Sequence, residues 1–352
     1  GGASAVTGHA VRRLDLFVTE RCNLACEYCL AGTDQSMPHM DPEVAFRTVD
    51  LAYAVNHPSF TFEFSGGEPF LRFGLMQKLV EHIRDHPRRA GREVYICMQT
   101  NGTLINPERA RWLAENRILV GLSLDGNPES HNLSRPQVNG KESFSKVLQG
   151  LDLMREAGVA FGILVVLNRS NIHSPNQLIR FMQDQGIDQF KLNPIAFLGT
   201  ARSDWDRLAL DQEQILDYFQ RLGRLLVDCE QDIYEANLMD MVRHLVSKQR
   251  QSRCLRGHCG AGDSFNAVAA DGSIYPCGRA TQSPGLKLGN ILHEPHSLNR
   301  PGRHNLHIQR IRERRPKTLE DCVDCHYREL CQGGCSVQAF ERYGTVQHKT
   351  PE

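Results

Sequence analysis

The stretch Cys22-Asn23-Leu24-Ala25-Cys26-Glu27-Tyr28-Cys29 follows closely on a short apolar run at residues 14–18. Three thiolates crowded into eight residues can share one metal centre. They are one ligand short of closing a tetrahedral zinc site or a four-cysteine iron–sulfur cluster. The spacing therefore predicts either a zinc site with an open position or a [4Fe–4S] cluster with one iron free to bind a substrate or cofactor.

Downstream of this stretch, short apolar runs alternate with longer amphipathic segments, which is the pattern of β/α repeats. The predicted strands are residues 14–18, 60–64, 94–98, 119–124, 161–167 and 190–195. The predicted helices lie near residues 42–54, 74–85, 107–115, 143–156 and 175–185. Six strands in this order predict an α/β fold with a parallel sheet and right-handed crossovers. The count favours a partial (β/α)6 TIM barrel over a complete one, and periodicity alone leaves a doubly wound sheet open.

The composition argues against several classes of protein. The 352 residues are 40% hydrophobic and 23% charged, enough apolar material for a sizeable core. Lys+Arg and Asp+Glu both total 41, so the chain lacks the excess positive charge that binds nucleic acid. No stretch approaches the roughly 20 apolar residues that span a bilayer, and no signal peptide opens the sequence. We therefore expect a cytoplasmic enzyme with neither nucleic-acid nor membrane partners.

Cysteine usage also points to metal chemistry. Twelve cysteines occur, and ten fall into two groups with ligand-like spacing. A disulfide framework suits small secreted chains, whereas closely spaced cysteines in a cytoplasmic protein indicate metal or redox chemistry. The second group lies in a segment rich in Gly and turn residues: Cys254, Cys259, Cys277, Cys322, Cys325, Cys331 and Cys335. The two isolated cysteines, Cys97 and Cys229, are expected to be small buried hydrophobes.

These patterns divide the chain into three parts. We expect a partial barrel over residues 11–200, a helical connector over 201–250 and a cysteine-rich domain over 251–352. The connector contains two predicted helices, 211–226 and 234–248. Residues 310–317 form the one strongly basic run, for which a solvated helical end is favoured over a docking site for an acidic peptide.

With the strands placed, the first cysteine group resembles the signature of the radical S-adenosylmethionine (SAM) superfamily, Cys-x3-Cys-x-aromatic-Cys. Ser65-Gly66-Gly67-Glu68-Pro69 follows the second predicted strand, as the GGEP motif of that superfamily does. The resemblance implies that Cys22, Cys26 and Cys29 hold a [4Fe–4S] cluster whose open iron is chelated by SAM. It also implies that Gly66, Gly67, Glu68 and Pro69 bind the SAM amino group.

Polar residues at the carboxyl ends of parallel strands face the ligand crevice of such sheets. The resemblance implies that Ser123 and Asp125 contact the SAM ribose and carboxylate, with Arg135 as a carboxylate partner. Tyr28 is expected to lie against adenine, and Asn168 to contact adenine or ribose. Gln99 and Asn101 are the predicted catalytic residues, expected to contact substrate backbone or SAM. Capping of the strand ends is the alternative explanation for each polar residue.

The second cysteine group resembles the SPASM extension, a C-terminal module that carries two auxiliary [4Fe–4S] clusters. The resemblance assigns one set of ligands to each cluster: Cys254, Cys259, Cys277 and Cys335 to the first, and Cys322, Cys325 and Cys331 to the second. A zinc-ribbon-like fold is the alternative, because Cys-x2-Cys pairs are common in zinc sites. The closing cysteine of the family does not follow Cys335. Either His348 substitutes, the site is open, or the ligand lies beyond residue 352.

A departure at Gly278 bears on the reaction. Sulfatase-maturing members of the group carry an Asp directly after the cysteine that corresponds to Cys277, and this Asp serves as base when Ser or Cys is oxidised to formylglycine. Gly278 has no proton-accepting side chain. We therefore expect a peptide maturase that forms an intramolecular, cyclophane-type crosslink. A sulfatase-type maturase with a displaced base and a non-enzymatic zinc scaffold are the alternatives.

The resemblance also implies a mechanism and partners. A reductant such as flavodoxin or ferredoxin supplies one electron, and SAM is split into methionine and a 5′-deoxyadenosyl radical that abstracts hydrogen from the substrate. The auxiliary clusters then take the electron released on closure to product. The expected substrate is a ribosomally made precursor peptide with a leader, which we expect the barrel, the cysteine-rich domain or another protein to recognise.

Overall fold

The computed structural model describes residues 13–32, 34–55, 57–172, 174–229, 232–247, 259–299 and 305–350. Its central feature is one ten-stranded sheet, in the order β10-β9-β8-β1-β2-β3-β4-β5-β6-β7. Strands β1 to β6 are all parallel, as predicted. They are β1 (Arg13–Thr19), β2 (Ser59–Gly66), β3 (Glu93–Thr100), β4 (Leu119–Ser123), β5 (Phe161–Leu167) and β6 (Gln189–Pro194).

Helices connect these strands and begin where the sequence places start signals. Asp41 and Asn106 cap two of them, since each side chain accepts a backbone N–H and is followed by Pro at the first helical position. The helices of this region are α1 (Pro42–Ala54), α2 (Phe73–Asp85), α3 (Pro107–Glu115), α4 (Pro128–Ser134), α5 (Phe144–Glu156) and α6 (Pro175–Asp184). The short helix α4 is the one that periodicity missed, because its seven residues carry too few apolar positions.

All the long helices pack on one face of the sheet. In β1 the residues Leu14, Leu16 and Val18 belong to the main core, together with apolar residues of α1, α2, α3, α5 and α6. A doubly wound sheet carries helices on both faces, so the helices identify a partial (β/α)6 barrel. The predicted fold class is confirmed, and the alternate strand residues form the inner face of the barrel.

The connector follows β6. It contains α7 (Trp205–Leu208), α8 (Gln212–Asp228), β7 (Tyr234–Glu235) and α9 (Ala236–Ser247). The predicted helix at 234–248 thus begins two residues late, because Tyr234 and Glu235 pair with β6 instead. None of the helices in the described ranges is long and apolar enough to cross a bilayer.

The cysteine-rich region extends the barrel sheet. Strand β8 (Phe265–Val268) pairs in parallel with β1, and β9 (Ser273–Tyr275) and β10 (Gly289–Asn290) continue antiparallel. Sequence reasoning assigned no strand here, because three strands of two to four residues give almost no periodicity. The remaining helices are α10 (His296–Asn299), α11 (Leu306–Glu313), α12 (Arg328–Cys331) and α13 (Ser336–Tyr343).

Candidate functional site

The first cysteine group lies on the loop at the carboxyl end of β1. Cys22 is buried, and its Sγ accepts hydrogen bonds from the Leu24 N–H at 3.4 Å and from Asn101 Nδ2 at 3.7 Å. Burial raises the pKa of both Cys22 and Cys26 to about 12. Such thiols stay protonated at neutral pH unless a metal displaces the proton, which is compatible with metal ligation at this loop.

The separation of the sulfur atoms bears on the kind of metal centre. Zinc–thiolate bonds of about 2.3 Å in a tetrahedron bring sulfur atoms to within about 3.8 Å of one another. Among the described residues, no three cysteine sulfurs lie within 4.8 Å of one another. At least one sulfur–sulfur separation in any such triad is therefore wider than a tetrahedral zinc–thiolate site requires.

Within the described ranges one group of potential ligands does meet this distance limit, Asp50, His82 and His86 between α1 and α2. Both Nε2 atoms face Asp50 Oδ1, at 2.6 Å from His82 and 3.5 Å from His86. His86 Nδ1 accepts the N–H of Arg88 at 3.1 Å, so the proton of the neutral His86 ring is on Nε2 and points at Asp50. The group is therefore a hydrogen-bonded contact between two helices.

The Gly66-Gly67 pair closes the other side of the cysteine loop. Gly67 N–H donates to the Thr19 carbonyl at 2.8 Å, and Glu68 N–H donates to the Arg21 carbonyl at 2.9 Å. Gly66 has a φ of 108°, and a Cβ on Gly67 would overlap the backbone of Arg21. Only glycines let the two loops approach this closely, which places the motif directly beside the cysteine loop.

Glu68 is completely buried between β2 and β3. Its carboxylate accepts hydrogen bonds from Thr100 Oγ1 at 2.8 Å, from the Asn101 N–H at 2.8 Å and from the Phe70 N–H at 3.1 Å. Burial raises the pKa of Glu68 above its ordinary value. Pro69 opens the short 3-10 helix that Glu68 caps. Glu68 thus ties together the ends of two strands, and its contact with the SAM amino group stays a prediction.

Three of the predicted SAM contacts form one buried group. The Tyr28 hydroxyl donates to Asp125, and Arg135 donates to both carboxylate oxygens of Asp125, at 2.9 and 3.1 Å. The Arg135 guanidinium lies 5.2 Å from the centre of the Tyr28 ring, and the Val166 N–H also donates to Asp125. Burial raises the pKa of Tyr28 well above its ordinary value. This group links the cysteine loop to the ends of β4 and β5.

The other predicted contacts lie around this group. Gln99 Nε2 donates to Ser123 Oγ at 2.9 Å on the inner face, where the absence of a side chain on Gly121 makes room for Gln99. Asn168 is fully buried and donates to Ser134 Oγ at 3.3 Å. Asn101 instead belongs to the cysteine loop, because its Nδ2 donates to Asn23 Oδ1 at 3.0 Å. The structure therefore separates Gln99, which faces the barrel interior, from Asn101.

An acidic pair on the inner face escaped sequence analysis. Arg13 bridges Asp15 and Glu63, with its Nε 2.8 Å from Asp15 Oδ1. A Cβ added to Gly278 would lie 3.1 Å from Asp15 Oδ2, so a carboxylate from β1 faces the position that lacks one. The alternation of β1 contained the signal, because residues 14, 16 and 18 are apolar and residue 15 must point the other way. Cys97, expected to be a buried hydrophobe, is half-buried and pairs in register with Glu63.

The described cysteines of the C-terminal region lie in two places, and their assignment to clusters stays a prediction. Cys277 is buried in a second hydrophobic core, and Cys259 and Cys335 pack against it. Cys322 lies in a turn in which its carbonyl accepts the Cys325 N–H at 3.2 Å. Cys254 lies outside the described residues. Cys229 is half-buried elsewhere, where its sulfur accepts a hydrogen bond from Gln183.

His348 and the basic run lie beside these cysteines. The His348 ring stacks on Tyr343 at 3.8 Å, and its Nε2 is 3.8 Å from Asp321. Within the basic run, Arg314 is buried and Arg312 donates to the Gly262 carbonyl at 3.0 Å. The expectation of a solvated helical end is therefore wrong for Arg314, because this side chain turns inward at the end of α11.

Comparisons with known proteins agree with this geometry. Residues 16–182 match the family model described as the radical SAM superfamily. The chain is 31% identical over 331 residues to the cysteine-type anaerobic sulfatase-maturating enzyme of Clostridium perfringens (strain 13 / Type A), covering 89% of this chain and 85% of that protein. In fold it resembles anSMEcpe with bound AdoMet, with a TM-score of 0.83, 24% identity and coverage of 96% and 93%.

A further similar fold is that of SuiB from Streptococcus suis, solved bound to the precursor peptide SuiA, with a TM-score of 0.69 and 16% identity. The match covers 96% of this chain and 75% of SuiB. The alternative of a non-enzymatic zinc scaffold is wrong, since the relatives are enzymes over almost the whole chain. The chain belongs to the radical SAM superfamily and is a radical SAM enzyme whose cofactors are a [4Fe–4S] cluster and SAM.

Proposed function

We propose that this enzyme is a peptide maturase that forms an intramolecular, cyclophane-type crosslink in a ribosomally made precursor peptide. Its relatives include a sulfatase-maturating enzyme and, in fold, a protein solved with its precursor peptide. The observation that carries the proposal is Gly278. A Cβ there would lie 3.5 Å from the Phe17 ring and only 3.1 Å from Asp15, so an aromatic ring and a carboxylate pack closely against a position that itself supplies no base. The absence of a base at position 278 supports crosslinking over formylglycine formation.

The inner face of the barrel is partly exposed, and this exposure supports a peptide as substrate. Complete TIM barrels fill this face with packed side chains. Here the inward residues of β2 and β5 are half-exposed, and those at the start of β6 are exposed, whereas their outward neighbours are buried. Gly162 carries no side chain on the same face, and nothing lies within 4 Å of the place where its Cβ would be. This partly open inner face supports binding of a peptide segment inside the partial barrel.

The residues of the chain divide the work of this reaction. Cys22, Cys26 and Cys29 would hold the cluster, which together with SAM would supply the radical that takes a hydrogen atom from the substrate. Tyr28 and Arg135 both donate hydrogen bonds to Asp125, and these three buried side chains form one wall of the site beside the cysteine loop. Asp15, the carboxylate beside Gly278 on the inner face, accepts the proton that the substrate loses on ring closure.

In this proposal the auxiliary clusters would accept the electron that the substrate releases on ring closure. Cys254, Cys259, Cys277 and Cys335 hold the first, and Cys322, Cys325 and Cys331 hold three corners of the second. His348 is disfavoured as the fourth ligand, because its ring is stacked on Tyr343 with Nδ1 3.0 Å from a carbonyl oxygen. Iron and Mössbauer analysis of anaerobically prepared enzyme tests this assignment, which requires about twelve irons per chain.

The function is tested with the precursor peptide encoded beside the gene. Enzyme, SAM and a reductant are incubated anaerobically with this peptide, and the product is sequenced by mass spectrometry, with a Cys22→Ala variant as control. We expect a loss of two hydrogens per modification and missing fragment ions between the linked residues. An unlinked epimer of unchanged mass would contradict the proposal.

Formylglycine formation is the second candidate, favoured by the 31% identity to a sulfatase-maturating enzyme and by the carboxylate of Asp15 beside Gly278. Oxidation of Ser to formylglycine also removes two hydrogens, so mass alone does not separate the two reactions. A hydrazine probe does, because it labels the aldehyde and leaves a crosslink unlabelled. Labelling of the product, or of a sulfatase peptide containing the target Cys or Ser, would replace the first proposal by the second.

A further inference from the structure

Arg314 is a buried cation whose partners in the described part of the chain are all backbone carbonyls. It is 6% exposed. Its Nη atoms donate to the carbonyls of Gln332, Gly333, Gly334 and His348, with the shortest bonds at 2.6 Å. Its Nε is buried without a partner among the described residues. Burying a charge in this way is costly unless an opposite charge lies nearby.

Arg314 lies beside cysteines of both auxiliary groups, because the carbonyls of residues 332–334 that it binds belong to the loop between Cys331 and Cys335. Burial lowers the pKa of Arg314, and the interactions that oppose this are with Cys335, Cys259, Cys322 and Cys331. Two of these cysteines belong to the first predicted ligand set and two to the second. Arg314 therefore lies within electrostatic reach of both sites.

The backbone around Arg314 is shaped to hold it. Gln332, Gly333 and Gly334 have φ values of 60°, 75° and 72°, three successive residues in the left-handed region. This conformation is unfavourable for Gln332, and it turns three carbonyls onto one guanidinium. A Cβ on Gly333 would lie 3.2 Å from Arg314 Nη2. The loop between Cys331 and Cys335 is thus folded around this side chain.

We propose that Arg314 is the shared counter-cation of the two auxiliary clusters and that its Nε–H donates to a sulfur of one of them. The inference rests on the auxiliary clusters of the proposed function. Net charge and hydrogen bonds to sulfur set the reduction potentials of such clusters. A cation and a donor stabilise the reduced, more negative form, so Arg314 raises both potentials and favours uptake of the electron that the substrate releases. Arg314 is a positioning residue and does not touch the substrate.

The test is a redox titration of the anaerobically reconstituted holoenzyme, followed by electron paramagnetic resonance. Arg314→Gln should lower the equilibrium constant for reduction of the auxiliary clusters by at least about tenfold, which is about 59 mV for a one-electron couple. Arg314→Lys, which keeps the charge, should restore most of this. Arg315→Gln removes the neighbouring exposed arginine and should match the wild type, as should the SAM-binding cluster in every variant.

The outcomes separate charge from scaffolding. If Arg314→Gln loses the auxiliary clusters while Arg314→Lys keeps them near the wild-type potential, the charge is what matters and the inference stands. Loss of the clusters in both variants would show that Arg314 only supports the 332–334 loop structurally, and would overturn the inference. Unchanged reduction potentials in an intact Arg314→Gln enzyme would overturn it as well. A wild-type enzyme with only about four irons per chain would refute the auxiliary clusters and the inference together.

Discussion

Asp125 is the residue on which the buried part of the site depends electrostatically. It is the carboxylate partner of Arg135 and accepts from Tyr28 and the Val166 N–H. Asp125→Asn should lower the free energy of unfolding by about 3–5 kcal/mol, because it leaves a buried guanidinium without its counter-charge. It should also abolish SAM binding. Anaerobic urea denaturation followed by circular dichroism measures the first effect.

The control for this variant is Asp152→Asn, which removes an exposed carboxylate 3.4 Å from Arg155. Exposed pairs contribute less than about 1 kcal/mol, so its unfolding should be nearly unchanged. Equal losses in the two variants would mean that burial of the Asp125–Arg135 pair has no energetic consequence.

Asp15 is the proposed base of both candidate reactions, and its substitution distinguishes that role from a purely structural one. Asp15→Asn should slow product formation by about a hundredfold or more, the usual contribution of a general base, while 5′-deoxyadenosine still forms. The double variant Asp15→Asn/Gly278→Asp moves the carboxylate to the facing position and should recover part of the activity. Glu108→Gln, on an exposed helix start, is the control. Failure of SAM cleavage in Asp15→Asn would show damage to the fold instead.

At the scale of elements, the site depends on the contact between the loops that follow β1 and β2. Gly67→Ala should displace the cysteine loop, because the added Cβ would overlap the Arg21 backbone. We expect loss of the SAM-binding cluster, seen as a drop in iron of about four per chain. Gly74→Ala in α2 meets nothing within 4 Å and should retain full iron. Full iron in Gly67→Ala would mean that the loops can separate without cost.

At the scale of the molecule, the cluster sites should be separable. Replacing Cys22, Cys26 and Cys29 by Ala should abolish SAM cleavage and leave about eight of about twelve irons. Three of the proposed auxiliary ligands, Cys259, Cys277 and Cys335, pack in or around the second core and not on the cysteine loop. Cys29 itself contacts that core, so a small loss of stability is expected as well. A triple variant that still produced 5′-deoxyadenosine under reducing conditions would contradict the assignment of these ligands.

Much of the barrel could be predicted because the relevant signals are local. Alternation within β1, the caps at Asp41 and Asn106, and the spacing of Cys22, Cys26 and Cys29 each involve a few neighbouring residues. Each of these patterns acts within a single element, and both ends of each strand from β1 to β6 lie within two residues of their predicted places. The same local signals suggested polar residues at the strand ends, including Asp125.

The features that local patterns do not predict are contacts between residues that are far apart in the chain. Arg13 pairs with Phe265 in the register of β1 and β8, so the cysteine-rich region joins the barrel sheet although its strands are too short to show periodicity. The approach of Asp15 to Gly278 and the inward turn of Arg314 follow from the same packing. No pattern within either segment contains these contacts, because they arise from burial that both segments achieve together. Local patterns thus predict the cysteine loop and the partial barrel, whereas packing between distant segments sets which charged side chains lie on the inner face.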